Sequence, residues 1–210
     1  MSKLSSKESP FKRRPAFRAL RESFLILCEG ESTEPLYFNA FRLSTAQVRA
    51  LPVTSGDALA VVNAAIKRRQ IELEKGNEYD HYWVVFDKDA TSNVRFNSAI
   101  ALAGLNGFRV AYSNQAFELW FILHFDYVSS PMHRNQYANR LKAVLGFPYS
   151  KQKEIARLMF QALFPKQQLA IDNARRLYTQ FADELDQHNP AEEESSTTVF
   201  QLVEKLRSFM

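Results

Sequence analysis

The fold turns on the segment SFLILCEGESTEPLYFNAF, residues 23–41. Phe24 to Cys28 form a continuous apolar run of strand length, the pattern of a strand buried on both faces of a parallel sheet. The run breaks at Glu29-Gly30-Glu31, and Ser32, Thr33, Glu34 and Pro35 follow. Ser32 or Thr33 can cap a helix with Pro35 in its first turn, while Leu36, Tyr37, Phe38 and Phe41 supply its apolar content. In open parallel sheets ligands bind outside the carboxyl ends of the strands. Glu29, directly after the strand, is therefore expected to face that crevice. Glu31 and Glu34 are expected to steady the turn and the helix N-terminus, where negative charge is favoured.

Outward from this segment the alternation continues. RALPV (49–53) is a second, weaker strand candidate, and Asp57 is placed to cap a helix running to about Lys75 and stopping near Gly76. HYWVVFDKDA (81–90) is a strong strand that also ends in acids; a helix over 93–104 and a strand FRVAYS (108–113) follow. This rhythm predicts an α/β fold, a mostly parallel four-stranded Rossmann-like sheet with helices on both faces. Beyond Ser113 helices dominate: FELWFILHF (117–125), 134–145, 151–163, 166–188 and the closing TTVFQLVEKLRSFM (197–210). NPAEEESS (189–196) reads as a loop. Three parts are expected: a basic arm over 1–21, an α/β core over 22–128, and a helical extension over 129–210 packing on the core.

The 210 residues, 46% of them hydrophobic, suffice for one sizeable core. No run of about 18 apolar residues occurs, so no membrane span is expected. The N-terminus has no apolar region of signal-peptide type. Cys28, the single cysteine, has no intramolecular disulfide partner and reads as a small core residue; a reducing, cytoplasmic location is the expectation. The net charge of +4 is unevenly spread: Lys3, Lys7, Lys12, Arg13, Arg14, Arg18 and Arg21 face only Glu8 and Glu22. Such an arm suits a polyanionic partner such as nucleic acid, or is a solvated leader.

Asp87 and Asp89 lie at the end of the strand YWVVF, and side chains at i and i+2 of an extended backbone share a side. If the first and third strands are neighbours, Glu29, Asp87 and Asp89 meet in one crevice. Their repulsion would be relieved by protons or cations, and such hard oxygen donors suit Mg²⁺ or Mn²⁺. The plainer alternative is a strand-end turn around Lys88.

CEGESTEPLYF followed by VVFDKDA resembles the Toprim signature of strand, Glu-Gly, helix, and a strand ending in Asp-x-Asp. With the third block YSNQAFELWFILHF (112–125), the chain resembles the RloB-like family, a bacterial Toprim-related group, over roughly residues 22–206. The resemblance implies a phosphotransferase or nuclease site with Glu29 in acid–base chemistry or metal binding and Asp87 and Asp89 holding a divalent metal. It also implies a role in anti-phage defence, often beside an ATPase partner. Two positions depart from the family pattern: Gln115 where proline is common, and Ala90 where a further acid is common.

Within the third block the helix is apolar on most sides and so belongs in the core. Glu118 there needs a hydrogen-bond partner, a cation or a proton, and reads as a further metal- or substrate-positioning carboxylate or as a structural hydrogen-bond acceptor. Asn114 reads as a phosphate contact or a helix cap, and His124 as a proton carrier or a core histidine. Lys88 and Arg134 are further candidate substrate contacts. Arg140, Lys142, Lys151 and Lys153, interleaved with Tyr137, Phe147 and Tyr149, suit a nucleic-acid surface or a solvated face over aromatic core. The expected function is Mg²⁺- or Mn²⁺-dependent hydrolysis of DNA or RNA, tRNA included, with Glu29, Asp87, Asp89 and Glu118 as the site. The rival is a non-catalytic regulatory or adaptor subunit of an ATPase-containing defence complex, and oligomers are compatible with either.

Overall fold

The computed structural model describes residues 21–53, 56–183, 185 and 187–210; the basic arm therefore lies almost wholly outside the described residues. Four strands form one all-parallel sheet: β1 (Glu22–Cys28), β2 (Ala46–Pro52), β3 (His81–Asp87) and β4 (Arg109–Ser113), in the order β2-β1-β3-β4. The fold is α/β and Rossmann-like. Helix α1 (Thr33–Asn39) joins β1 to β2, α2 (Ala58–Glu74) joins β2 to β3, and α3 (Asn93–Leu105) joins β3 to β4. The β1–β2 crossover moves one way along the sheet and the next two move the other way. With right-handed crossovers, that reversal places α1 on one face and α2 and α3 on the opposite face.

The strand alternation divides the core accordingly. Phe24, Ile26, Cys28, Trp83 and Val85 pack with α1, while Leu25, Leu27, Val84 and Phe86 pack with Val61, Val62 and Ala65 of α2 and Phe96 and Ala99 of α3. Each fully buried side chain of this size contributes about 1.5–3 kcal/mol. Asp57 caps α2 by accepting from Ala60 N–H at 2.9 Å. Ser32 occupies the N-cap position of α1 but makes no side-chain capping bond.

The remaining helices, α4 (Glu118–Ile122), α5 (Arg134–Leu145), α6 (Lys153–Leu163), α7 (Gln167–Thr179) and α8 (Val199–Arg207), cover the α1 side. Tyr37 ties two of them to α1. Its hydroxyl accepts from Trp120 Nε1 of α4 at 2.9 Å and from Gln167 Nε2 of α7 at 3.2 Å. Helix α7 ends well before residue 188. Beyond it, the Asp183 side chain accepts from the N–H groups of Leu185 and Gln187, both at 2.8 Å, and holds a turn. Among the described residues no helix is long and apolar enough to cross a membrane.

The acidic loop is not a solvated surface feature. Glu193, Ser195, Ser196 and Thr197 are buried, and the segment runs antiparallel along the free edge of β4 through a Ser113–Thr197 bridge. Asn114 N–H donates to Ser196 O (2.9 Å), Ser195 N–H to Asn114 O (3.1 Å), and Thr198 N–H to Tyr112 O (2.9 Å). Covering an edge in this way removes a row of unpaired backbone groups.

Candidate active site

The strand order puts β1 beside β3, where the crossover direction reverses and where α/β sheets open a ligand crevice. Cys28 is paired with Val85, which brings Glu29 level with the end of β3. The Glu29 N–H donates to Val85 O (2.9 Å), and its Oε2 accepts from the Asp87 N–H at 3.0 Å. Asp87 in turn accepts from the Phe117 N–H at the entrance to α4. Glu118, the next residue, accepts from the Tyr149 hydroxyl at 2.8 Å and has the Lys151 ammonium 3.6 Å away.

A fourth carboxylate completes the group. Glu34 is buried, and its carboxyl is pushed up to about 7 by burial first, then by Glu118 and Glu29, with Lys151 opposing. Burial, then the charges of Glu34, Glu118 and Glu29, drives Asp87 well above the usual carboxylate range. The four acids thus crowd one another at the carboxyl end of the sheet. Burial and the Glu118 charge raise Tyr149, which keeps its phenol protonated and donating.

Glu34 corrects the reading of the opening segment. Glu31 is exposed, but Glu34 faces inward rather than merely decorating a helix N-terminus. The signal was present in the spacing: 34, 37, 38 and 41 follow the i, i+3, i+4, i+7 pattern of one helix face, and Tyr37, Phe38 and Phe41 are buried. Gly30 makes room for it. A Cβ at Gly30 would stand 1.8 Å from Glu34 Oε2. Gly30→Ala is therefore expected to displace the Glu34 carboxylate; were a divalent ion held among these acids, its affinity would fall by about tenfold or more, with little change in melting temperature. Calorimetric titration with Mn²⁺ alongside a thermal melt checks this.

A model of the RloB-like protein family matches residues 24–206. The chain belongs to the RloB-like family. No curated protein and no solved structure matches it.

The remaining expectations for this RloB-like chain divide. Asp89 does not continue the strand alternation: β3 ends at Asp87, and Asp89 sits exposed at φ 39°, in the left-handed region. Its N–H donates to Gln115 O at 3.1 Å. Lys88 is half-buried, with its N–H on Ser113 O at 2.9 Å. Asn114 neither caps α4, whose N-cap is Phe117, nor faces an open crevice; it is buried and donates from Nδ2 to Pro190 O at 3.1 Å. Arg134 opens α5, and its side chain lies outside the described residues. His124 is a core histidine: its Nδ1 lies 2.9 Å from Trp120 O, and burial lowers its pKa to about 4. Cys28 is buried, and burial raises its thiol. Arg140 is ion-paired with Asp126.

Among the described residues no three His, Cys, Asp or Glu side chains stand grouped as a ready-made metal cage. The donor chemistry nonetheless fits Mg²⁺ or Mn²⁺. Those ions take one or two carboxylates, keep several waters and complete their shell with phosphate. Glu29 and Asp87 are the pair that the backbone brings together, and the raised carboxyls of Asp87 and Glu34 mark repulsion that a cation would relieve.

Proposed function

We propose that this chain is a divalent-metal-dependent nuclease that hydrolyses phosphodiester bonds of DNA or RNA. The carrying observation is the convergence of Glu29, Glu34, Asp87 and Glu118 at the β1–β3 crevice, with Lys151 beside them. The Toprim resemblance of the Glu-Gly and Asp-x-Asp segments supports the same reading. By that resemblance the setting is cytoplasmic anti-phage defence beside an ATPase partner, with tRNA among the candidate substrates.

Mg²⁺ or Mn²⁺ supplies charge neutralisation on the phosphoryl oxygens and a water of lowered pKa. Glu29, oriented by the Asp87 N–H, and Asp87, oriented by the Phe117 N–H, offer the oxygens that would hold it. Asp89, exposed two residues beyond the end of β3, is a third carboxylate by the Toprim resemblance. Glu34, buried beside these carboxylates, is the acid assigned to take the proton from the attacking water. Glu118, held by Tyr149, orients Lys151 toward the phosphate that carries the developing charge.

The test is cleavage of single- and double-stranded DNA, RNA and tRNA by the purified chain with Mg²⁺ or Mn²⁺, against an EDTA control. Metal-dependent cleavage lost in Glu29→Gln and Asp87→Asn is the expected result. Cleavage that persists in both variants would exclude this site. The adaptor reading draws on the exposed Ile71 and Leu73 beside Lys67 on the outer face of α2; it gains if no substrate is cut and Mn²⁺ titration gives no heat.

A further inference from the structure

Helices α1 and α6 enclose a groove of about 510 Å³ whose charged lining consists of Arg42, Lys153 and Arg157, with no acid. Lys153, Arg157 and Gln161 follow one another at four-residue intervals on α6, so they form a rail with a rise of roughly 6 Å per step. That step is close to two nucleotides of a stacked strand at about 3.4 Å each. Leu36 and Phe160 provide an apolar floor, and the Phe160 ring is fixed edge-on against Tyr37 and Phe41.

The groove's cations differ from several elsewhere on the molecule. Arg49 and Arg68 are tied to Glu72, Arg95 to Asp57, Arg140 to Asp126 and Arg175 to Glu204. Among the described residues, Arg42, Lys153 and Arg157 form no such carboxylate pair.

The groove and the acids draw on the same two stretches of chain, α1 and the segment entering α6. Glu34 lies on α1 two residues before Leu36, and Ala40, further along the groove, is six residues from Glu34, about 9 Å by helix rise. On the other wall Lys151, whose ammonium stands by Glu118, precedes Lys153 by two residues.

We propose that the α1–α6 groove binds the sugar-phosphate backbone of the nucleic-acid strand flanking the scissile phosphate, with Arg42, Lys153 and Arg157 each neutralising one phosphate. The assignment rests on the nuclease reading for its biological sense, but the binding is separable from the chemistry. A strand held there runs past Lys151 into the carboxylate crevice.

The experiment measures fluorescence anisotropy of a labelled 20-nucleotide single strand, as DNA and as RNA, with the full chain in Ca²⁺ and again in EDTA, across a salt series. Arg42→Gln/Lys153→Gln/Arg157→Gln is expected to weaken binding about tenfold to a hundredfold and to reduce the salt slope by about 2, from roughly 0.7 per phosphate contact. Lys67→Gln/Lys75→Gln/Arg95→Gln, the same charge change on the α2–α3 side, is expected to stay within twofold of the wild-type chain. Arg157→Lys in the otherwise native groove should retain binding, which separates charge from folding. Undiminished affinity in the groove variant, an equal loss in the α2–α3 variant, or no binding by the wild-type chain would each overturn the proposal. Asp87→Asn that binds but does not cut agrees with both readings. A wild-type chain that binds through the groove yet cuts nothing removes only the nuclease reading.

Discussion

Asp87→Asn is expected to reduce metal-dependent cleavage a hundredfold to a thousandfold or more while raising the melting temperature of the metal-free protein at pH 8. The two effects have one cause. Asp87 is held among Glu34, Glu118 and Glu29, which together with burial make its ionised form unfavourable. Asparagine keeps an oxygen for the Phe117 N–H and removes the charge.

Glu34→Gln should behave alike, and its pH window follows from the sign. The folded-state pKa of about 7 exceeds the ordinary 4.5, so the folded chain binds the extra proton. That stabilisation is fully present below pH 4.5 and is lost as pH rises through 7. The difference amounts to roughly 3 kcal/mol, so the variant gains stability over wild type at pH 8 and little at pH 4.5. Melting curves in EDTA at both pH values check this; variants that melt lower than wild type at pH 8 would show that the acids are not in conflict. Adding Mg²⁺ should then raise the wild-type melting temperature at pH 8, by about 2.7 kcal/mol of stability at a hundredfold excess over Kd, and leave Asp87→Asn nearly unmoved.

The second large effect is expected in the loop that covers the edge of β4. Glu193 is buried, accepts from the Tyr112 hydroxyl at 2.8 Å and lies 2.8 Å from His188 Nδ1, whose ring stacks on Tyr178 at 3.8 Å. This carboxylate fastens the loop that covers β4. Glu193→Ala strands a buried phenol and an imidazole, at a cost of about 2–5 kcal/mol, which for a chain of this size lowers the melting temperature by about 10 °C. Tyr112→Phe, which leaves the His188 contact, should cost only about 1 kcal/mol. Because the same loop grips Asn114, ahead of Phe117 and Glu118, cleavage should fall with the Glu193 variant even below its melting point. Chemical denaturation and a cleavage assay at 20 °C test both parts. A Glu193→Ala variant as stable as wild type would show that the loop is held by its backbone bonds alone.

What could be read from the letters was whatever depends on near neighbours in the chain. The apolar run before Glu29, the cap at Asp57, the acids closing HYWVVFD and the helix over 134–145 each carry local signals of spacing and backbone preference. Glu29 and Asp87 followed as strand-end acids for the same reason. Glu34 was missed because its place in the first turn of a helix has an ordinary electrostatic explanation, and only the buried stripe it shares with Tyr37, Phe38 and Phe41 argues otherwise. The same-side placing of Asp89 with Asp87 does not hold, because β3 ends at Asp87 and Asp89 lies two residues beyond it at φ 39°. The burial of the loop at 189–196 was not legible, because nothing in three consecutive glutamates tells that one of them meets a tyrosine eighty-one positions away.

The sequence alone determined that the chain alternates strands and helices, that its strands are buried on both faces, and that acids stand at two of their ends. These properties are local, set by side-chain polarity at successive positions. Only the tertiary structure decided that β1 lies against β3, that Glu34 and Glu118 join their acids, and that α6 sets a cationic rail beside them. Those pairings depend on which surfaces gain most by leaving water together, a sum over residues distant in the chain that no short stretch contains.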